Sequence, residues 1–228
     1  MRHAAFQTLT ADGRIDRHRH SHAYAALVLS GGYRETGDRG WFEARAGQVL
    51  IHGAWEAHMN AVSAGGARVL NLPLPEGVDF DAATVADPDA VARAAERDPA
   101  EAAALLVRDA TPLTVAPPDW PDVLARALRD DPDLSLSVWA AGMNLAAATV
   151  SRGFARAFGT SPRRYRAEQR ALRAVRSLDE GADPLAGIAA ELGFVDQAHM
   201  TRAVVGLTGL TPGRFRVKSI QSGTAVPT

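Results

Sequence analysis

The 228-residue chain contains no cysteine. That excludes a disulfide framework and any thiolate chemistry. It also lacks net charge: 25 Lys and Arg against 26 Asp and Glu leave −1, so no global field draws the chain to nucleic acid or to a membrane. No apolar run is long enough to cross a bilayer, and the first residues, Met1 to Tyr24, carry no apolar h-region. A cytoplasmic location is the expectation. What remains is an ordinary globular composition, 46% hydrophobic and 22% charged, with length enough for two domains that each bury a core.

The charge is unevenly spread. Residues 1–75 hold 8 basic and 6 acidic side chains, 76–132 hold 5 and 13, and 133–216 hold 11 and 7. Most arginines of the last segment lie between Arg152 and Arg176, which points to an anionic partner for that part.

Residues 1–75 read as a small β domain. Ala25–Leu29, Tyr33–Thr36, Trp41–Ala44, Gln48–Ile51 and Val69–Leu72 are short apolar runs separated by glycine turns, Ser30-Gly31-Gly32 among them. Spacing of this kind suits a sandwich or barrel. Two histidine groups fall on it: His18, His20 and His22 at alternate positions, which share a face on a strand, and His58 farther on. His-x-His, a hairpin, Gly47-x5-Gly53 and the later His58 resemble the two motifs of the cupin barrel. The resemblance implies a pocket, and in many cupins a divalent metal held by such histidines and a glutamate. Carried over, the metal ligands are His18, His20 and His58, with Tyr24 where the glutamate would stand. A register two residues later, using His20 and His22, stays open. Three imidazoles are a feasible Zn or Ni site. The competing reading is a metal-free pocket for a small organic effector, lined by His18, His20, His22, Tyr24, Trp55 and His58, with Trp41 a further candidate wall. His3 and His52 read as ordinary, partly exposed residues.

Residues 76–110 read as an acidic helical connector. Asp87-Pro88 and Asp98-Pro99 are helix starts, and Val91, Ala94, Ala95, Leu105 and Leu106 form an apolar face. The face suits a hairpin against the β domain or a dimer contact. Residues 111–121 hold four prolines and read as a linker. Residues 217–228 read as a flexible tail.

Residues 122–216 contain a repeat at a spacing of 50 residues. Arg152 recurs as Arg202, Gly159 as Gly209, Pro162 as Pro212 and Tyr165 as Phe215. Each unit reads as helix, turn, helix: Leu136–Gly142 and Ala146–Phe158 in the first, Leu185–Leu192 and a helix after Asp196 in the second. A long helix starting at Pro162 joins them. Ser135, Ser161, Asp183 and Asp196 are the expected caps, and Asn144, Gly159, Gly193 and Gly209 the expected turn residues.

Ala146-x-x-x-Val-Ser-Arg-x-Phe154 and Gly159-Thr-Ser-Pro-Arg-Arg-Tyr165 resemble the AraC family of transcription regulators. So do Ile188-Ala-Ala-Glu-Leu-Gly-Phe194, Asp196-Gln-Ala-His-Met-Thr-Arg202 and Gly209-Leu-Thr-Pro-Gly-Arg-Phe215. The resemblance implies a two-domain α+β protein: an N-terminal cupin-like barrel with a helical connector, then an all-α domain with two helix-turn-helix units. It implies base-facing positions at Ala148, Thr149 and Arg152, and at Gln197, Ala198, His199 and Arg202. Phosphate partners would be Arg156, Arg163, Arg164 and Arg166. Two positions depart from the family's pattern. Ala146 stands where a serine cap is usual, and Ala203-Val-Val-Gly-Leu-Thr208 replaces a stretch usually aromatic and basic.

The expected function is sequence-specific, effector-responsive DNA binding, with double-stranded DNA, a small molecule or metal, a second copy of the chain and RNA polymerase as partners. Two other readings stay open: a metal-dependent cupin enzyme, and a constitutive DNA-binding protein whose barrel only dimerises.

Overall fold

The computed structural model describes residues 4–74, 77–113, 119–131, 133–181 and 183–223, with side chains as far as Val217. Two compact units are present, and their main boundary falls after Val123.

The first unit is one antiparallel sheet of eight strands: β1 (Ala5–Leu9), β2 (Arg14–Arg19), β3 (Tyr24–Gly37), β4 (Gly40–Arg45), β5 (Gln48–His52), β6 (Ala57–Pro73), β7 (Ala82–Val85) and β8 (Ala110–Pro112). The strands run in the order β1-β6-β3-β5-β7-β8, with β2 also on β6 and β4 also on β3. Ser30-Gly31-Gly32 is not the turn its composition suggests. β3 passes straight through it as a 14-residue strand, with register shifts between Val28 and Ser30 and between Gly31 and Tyr33. The glycines permit a bend rather than a reversal. Gly31 has φ +68°, and a Cβ there would meet the Gly66 carbonyl oxygen of β6 at 2.0 Å.

Alternation explains why Tyr24–Val28 is buried throughout. Ala25 and Leu27 face one layer with Val49, Ile51, Leu70 and Leu72, against which α1 (Pro88–Ala95) and α2 (Pro99–Arg108) lay Val91, Ala94, Ala95, Ala102 and Leu106. Tyr24, Ala26 and Val28 face the other layer, with Tyr33, Phe42, Leu50, Val62 and Val69. Each fully buried Leu or Val contributes about 1.5–3 kcal/mol. The sheet extends past Pro73, where the composition ends it. β7 and β8 flank the helical hairpin and belong to the same sheet, and β8 takes the first part of the expected 111–121 linker. Residues 114–118 of that linker, with prolines 117 and 118, lie outside the described residues.

The second unit is helical; the helices from its boundary on are α3 (Trp120–Asp130, begun just before the boundary), α4 (Leu136–Gly142), α5 (Ala147–Phe158, whose residues from 153 on group with the first unit), α6 (Pro162–Glu180), α7 (Leu185–Glu191), α8 (Gln197–Thr208) and α9 (Pro212–Gly223). Local chemistry sets the ends. Ser135, Ser161 and Asp196 accept from the backbone N–H three residues on, as N-caps do. Asn144, Gly159, Gly193 and Gly209 hold the positive φ that their turns require. Asp183 does not cap α7; Pro184 is the N-cap, with no side-chain bond. Residues 217–223, expected as tail, continue α9, and 224–228 lie outside the described residues. α6 is the spine: Tyr165, Leu172, Ala174, Val175 and Leu178 are buried along it, and α7, α8 and α9 pack against it.

The two recognition-type helices start differently. Ala146 offers α5 only its carbonyl, which accepts from Thr149 and Val150, whereas the Asp196 carboxylate accepts from His199 N–H at 2.6 Å. Asp196→Ala is expected to cost about 1 kcal/mol and Ala146→Ser to add about 0.5–1 kcal/mol. Urea unfolding of the full chain, followed by helical circular dichroism, checks both. Equal midpoints in all three proteins would show that neither cap matters.

Candidate effector site and nucleic-acid interface

The bend in β3 and β6 gathers the N-terminal cluster. β2 lies on β6 so that His18 is opposite His58, with ring centroids 4.3 Å apart. His20, just past the end of β2, is 4.9 Å from His18 and 5.3 Å from His58. Ligand-capable atoms of these three residues all lie within 4.8 Å of one another. His18 Nδ1 is 2.8 Å from the Asp16 carbonyl; donating there leaves its Nε2 lone pair free. Trp55 braces the group through its backbone: its N–H donates to the His20 carbonyl at 2.7 Å, from a strained φ of +65°. Gly37 gives His58 room, since a Cβ at 37 would stand 2.8 Å from that of His58.

His22 is not part of this group. It is exposed and shares a 2.9 Å hydrogen bond with Ser21. Trp41 is 37% exposed. His3 lies outside the described residues.

Two members were not visible in the sequence pattern. His52, read as partly exposed, is 5% exposed, and its Nε2 is 2.9 and 3.1 Å from the two oxygens of the equally buried Glu35. Tyr24 stacks on His52 at 4.4 Å, and its hydroxyl lies 3.4 Å from His58 Nε2. A carboxylate does stand in the group, that of Glu35, from the far half of the strand that carries Tyr24. Glu35 shares the inner face with Tyr33, and His52 with Leu50, at a spacing of two.

Burial, then repulsion from His52, His18, His20 and Arg17, pushes the His58 pKa down to about 2. Burial, then His18 and His52, also lowers that of His20, against the pull of Glu35. Burial and the nearby Glu35 carboxylate raise that of the Tyr24 phenol. Imidazoles beside a carboxylate form a donor set suited to a metal ion or to a ligand rich in hydrogen-bond donors.

In the helical unit the first turns of α5 and α8 are open. Ala148, Thr149 and Arg152 are exposed on α5, and Gln197, Ala198 and Arg202 on α8. Among the described residues Arg152, Arg156, Arg163 and Arg202 make no hydrogen bond or ion pair, so an intramolecular salt bridge does not account for them. Arg164 pairs with Glu168 at 3.1 Å on the surface. His199 is half-buried, edge-on to Phe194 at 5.3 Å, and its Nδ1 faces the Val195 N–H at 3.4 Å; its ring braces the start of α8.

Arg166, expected on phosphate, is instead half-buried and donates to the Leu134 carbonyl. Arg173 donates to the Arg129 carbonyl at 3.3 Å, and Arg129 to the Tyr165 hydroxyl at 2.9 Å. Arg170 lies over the Phe194 ring. Part of the basic surplus thus clamps helices together.

Residues 139–218 match the model of a family described as helix-turn-helix domain. No curated protein sequence is recognisably similar to the chain. Among solved structures, ToxT from Vibrio cholerae is similar at 8% identity over 98% of both chains, with a TM-score of 0.45. An AraC-type DNA-binding regulator from Chromobacterium violaceum is similar at 22% identity over 43% of this chain and 89% of its own, with a TM-score of 0.40. The C-terminal domain of AraT, a response regulator from Geobacillus stearothermophilus, is similar at 21% identity over 44% and 88%, with a TM-score of 0.38. The matched span, with its two helix pairs about a long central helix, makes residues 139–218 a helix-turn-helix domain.

Proposed function

We propose that the protein is a transcription regulator that binds double-stranded DNA through α5 and α8 and responds to an effector held at the histidine cluster of its sheet domain. The observation that carries this reading is the pair of open first turns. Each presents an unpaired arginine, Arg152 or Arg202, one turn after small or amide side chains. A second helix of a helix-turn-helix enters the major groove with its N-terminal residues toward base edges. Arg152 and Arg202 suit guanine O6 and N7, Gln197 suits adenine, and Thr149 or Ala148 suits a thymine methyl. Arg156, Arg163 and Arg164 suit phosphate.

The halves are unequal. Beyond Arg202, α8 turns Val205 and Gly206 to solvent, where a phosphate-binding helix would carry cations. The first half therefore supplies most of the affinity, and the second discriminates among sequences. In the sheet domain, His18, His20 and His58 form the outer part of the effector site, lined further by Tyr24. His22 and Trp55 flank it. Regulation requires that the effector bind one conformation better than the other. An enzymatic reading leaves the helix-turn-helix domain unexplained.

DNA fragments selected on the purified protein serve as the test. Arg152→Ala is expected to weaken binding about 5- to 150-fold and to relax preference at one base pair. Arg163→Ala is expected to weaken all sequences alike and to lower the salt slope by about one. Unchanged binding by a folded Arg152→Ala protein would remove the base-reading role. A triple alanine variant of His18, His20 and His58 is expected to keep DNA binding and lose its response to inducing conditions; a normal response would place the effector elsewhere.

A further inference from the structure

The cluster contains a second ligand set behind the first. Glu35, His52 and His58 also bring ligand-capable atoms within 4.8 Å of one another, and all three are buried. They come from three strands, β3, β5 and β6, and so are held by the sheet rather than by a loop. Rigid placement of this kind is what a metal site needs from its scaffold.

Three observations show that the set is incomplete as it stands. The Nδ1 atoms of His52 and His58 are both buried and, among the described residues, have no hydrogen-bond partner. A buried polar atom left so costs about 1–3 kcal/mol and calls for an explanation. Among the described residues, His58 Nε2 has only the long 3.4 Å contact with the Tyr24 hydroxyl. The Glu35 carboxylate has as neighbours His52 Nε2, at 2.9 Å, and Asn60, whose amide nitrogen lies 3.2 Å away in the orientation that satisfies both ends of the amide. A buried carboxylate beside two imidazoles with unsatisfied ring nitrogens is a poor end state for a core and a good one for a cation.

We propose that Glu35, His52 and His58 form an inner seat for a divalent first-row transition-metal ion. Two imidazoles and one carboxylate suit Zn, Fe, Co or Ni and leave coordination positions open for water or an incoming ligand. Asn60 would orient the carboxylate, and Tyr24, stacked on His52, would fix that ring. The seat needs neither His18 nor His20. It shares His58 with the outer group, so the two groups are alternative positions for one ion.

The test is titration of chelator-stripped, full-length protein with Co(II), followed by calorimetry and by the visible absorption of the bound ion. The wild type is expected to take one equivalent. A His18→Ala, His20→Ala double variant is expected to keep that equivalent with its affinity changed less than about tenfold. Glu35→Gln is expected to lose at least about 100-fold, the upper end of what a second-shell change costs, and to alter the absorption bands. His52→Gln serves as the second probe if Glu35→Gln fails to fold by circular dichroism. Binding lost in the double variant but kept in both inner variants would overturn the inner seat and leave the ion on the outer histidines. No Co(II) binding by the wild type would overturn it outright. DNA binding measured on the same proteins reports on the regulator reading separately.

Discussion

The sheet domain depends on a backbone-to-backbone contact. β3 and β6 are its longest strands, and where they cross, Gly31 leaves no room for a side chain before the Gly66 carbonyl. Both glycines hold positive φ, and both strands bend there. The irregularities also change the alternation by one residue. Before them Tyr24, Ala26 and Val28 face the inner layer; after them Tyr33 and Glu35 do. In β6 the same change separates His58 and Val62 from Ala67 and Val69. A one-residue slip exchanges the faces of a strand. An unbroken alternation would turn Arg34 inward and Glu35 to solvent, and the histidine cluster would have no carboxylate.

This explains what was legible in the chain and what was not. The short apolar runs and the helical hairpin caps at Asp87 and Asp98 follow from spacing alone, and the grouping of His18, His20 and His58 from the cupin resemblance, with a register two residues later left open beside it. Glu35 does not, because its face is set by a bulge whose sequence, Ser30-Gly31-Gly32, is the same as that of a turn. His52 was misplaced for a related reason. Its neighbour Gly53 suggests a loop, yet β5 ends at His52, with the ring on the Leu50 side, inside. β7 and β8 were hidden because they are only four and three residues long. In the helical unit nearly every boundary was readable, since caps and left-handed turn residues act locally. The exceptions are Pro184 in place of Asp183, which moves the cap by one residue, and α9, which runs on to Gly223 through residues expected as tail.

Charge was the less faithful guide. The arginine surplus after residue 132 suggests an anionic partner, but Arg166, Arg170 and Arg173 are turned onto carbonyls and the Phe194 ring. A guanidinium can do this because its planar fork satisfies a carbonyl while its stem packs on apolar neighbours. Along α6 the arginines near the N-terminus, Arg163 and Arg164, stay at the surface, and Arg166, Arg170 and Arg173 farther along brace the helices around it. Composition counts both kinds alike; only position separates them.

The same reasoning sets the two halves of the helical unit against each other. α5 has a weak start and free cations; α8 has a strong start and one free cation. A cap fixes the first turn of a helix, where base edges are read, whereas phosphate affinity accumulates with the number of cations and is indifferent to small displacements. In α8 the Asp196 carboxylate and the His199 ring, held edge-on by Phe194, immobilise the turn that carries Gln197. That rigidity suits discrimination. In α5 the uncapped turn carries Ala148 and Thr149, whose small side chains make contacts that tolerate a loosely held backbone. On the proposed reading this divides labour along the chain: holding DNA would fall to the half with the arginines, and choosing it to the half with the cap.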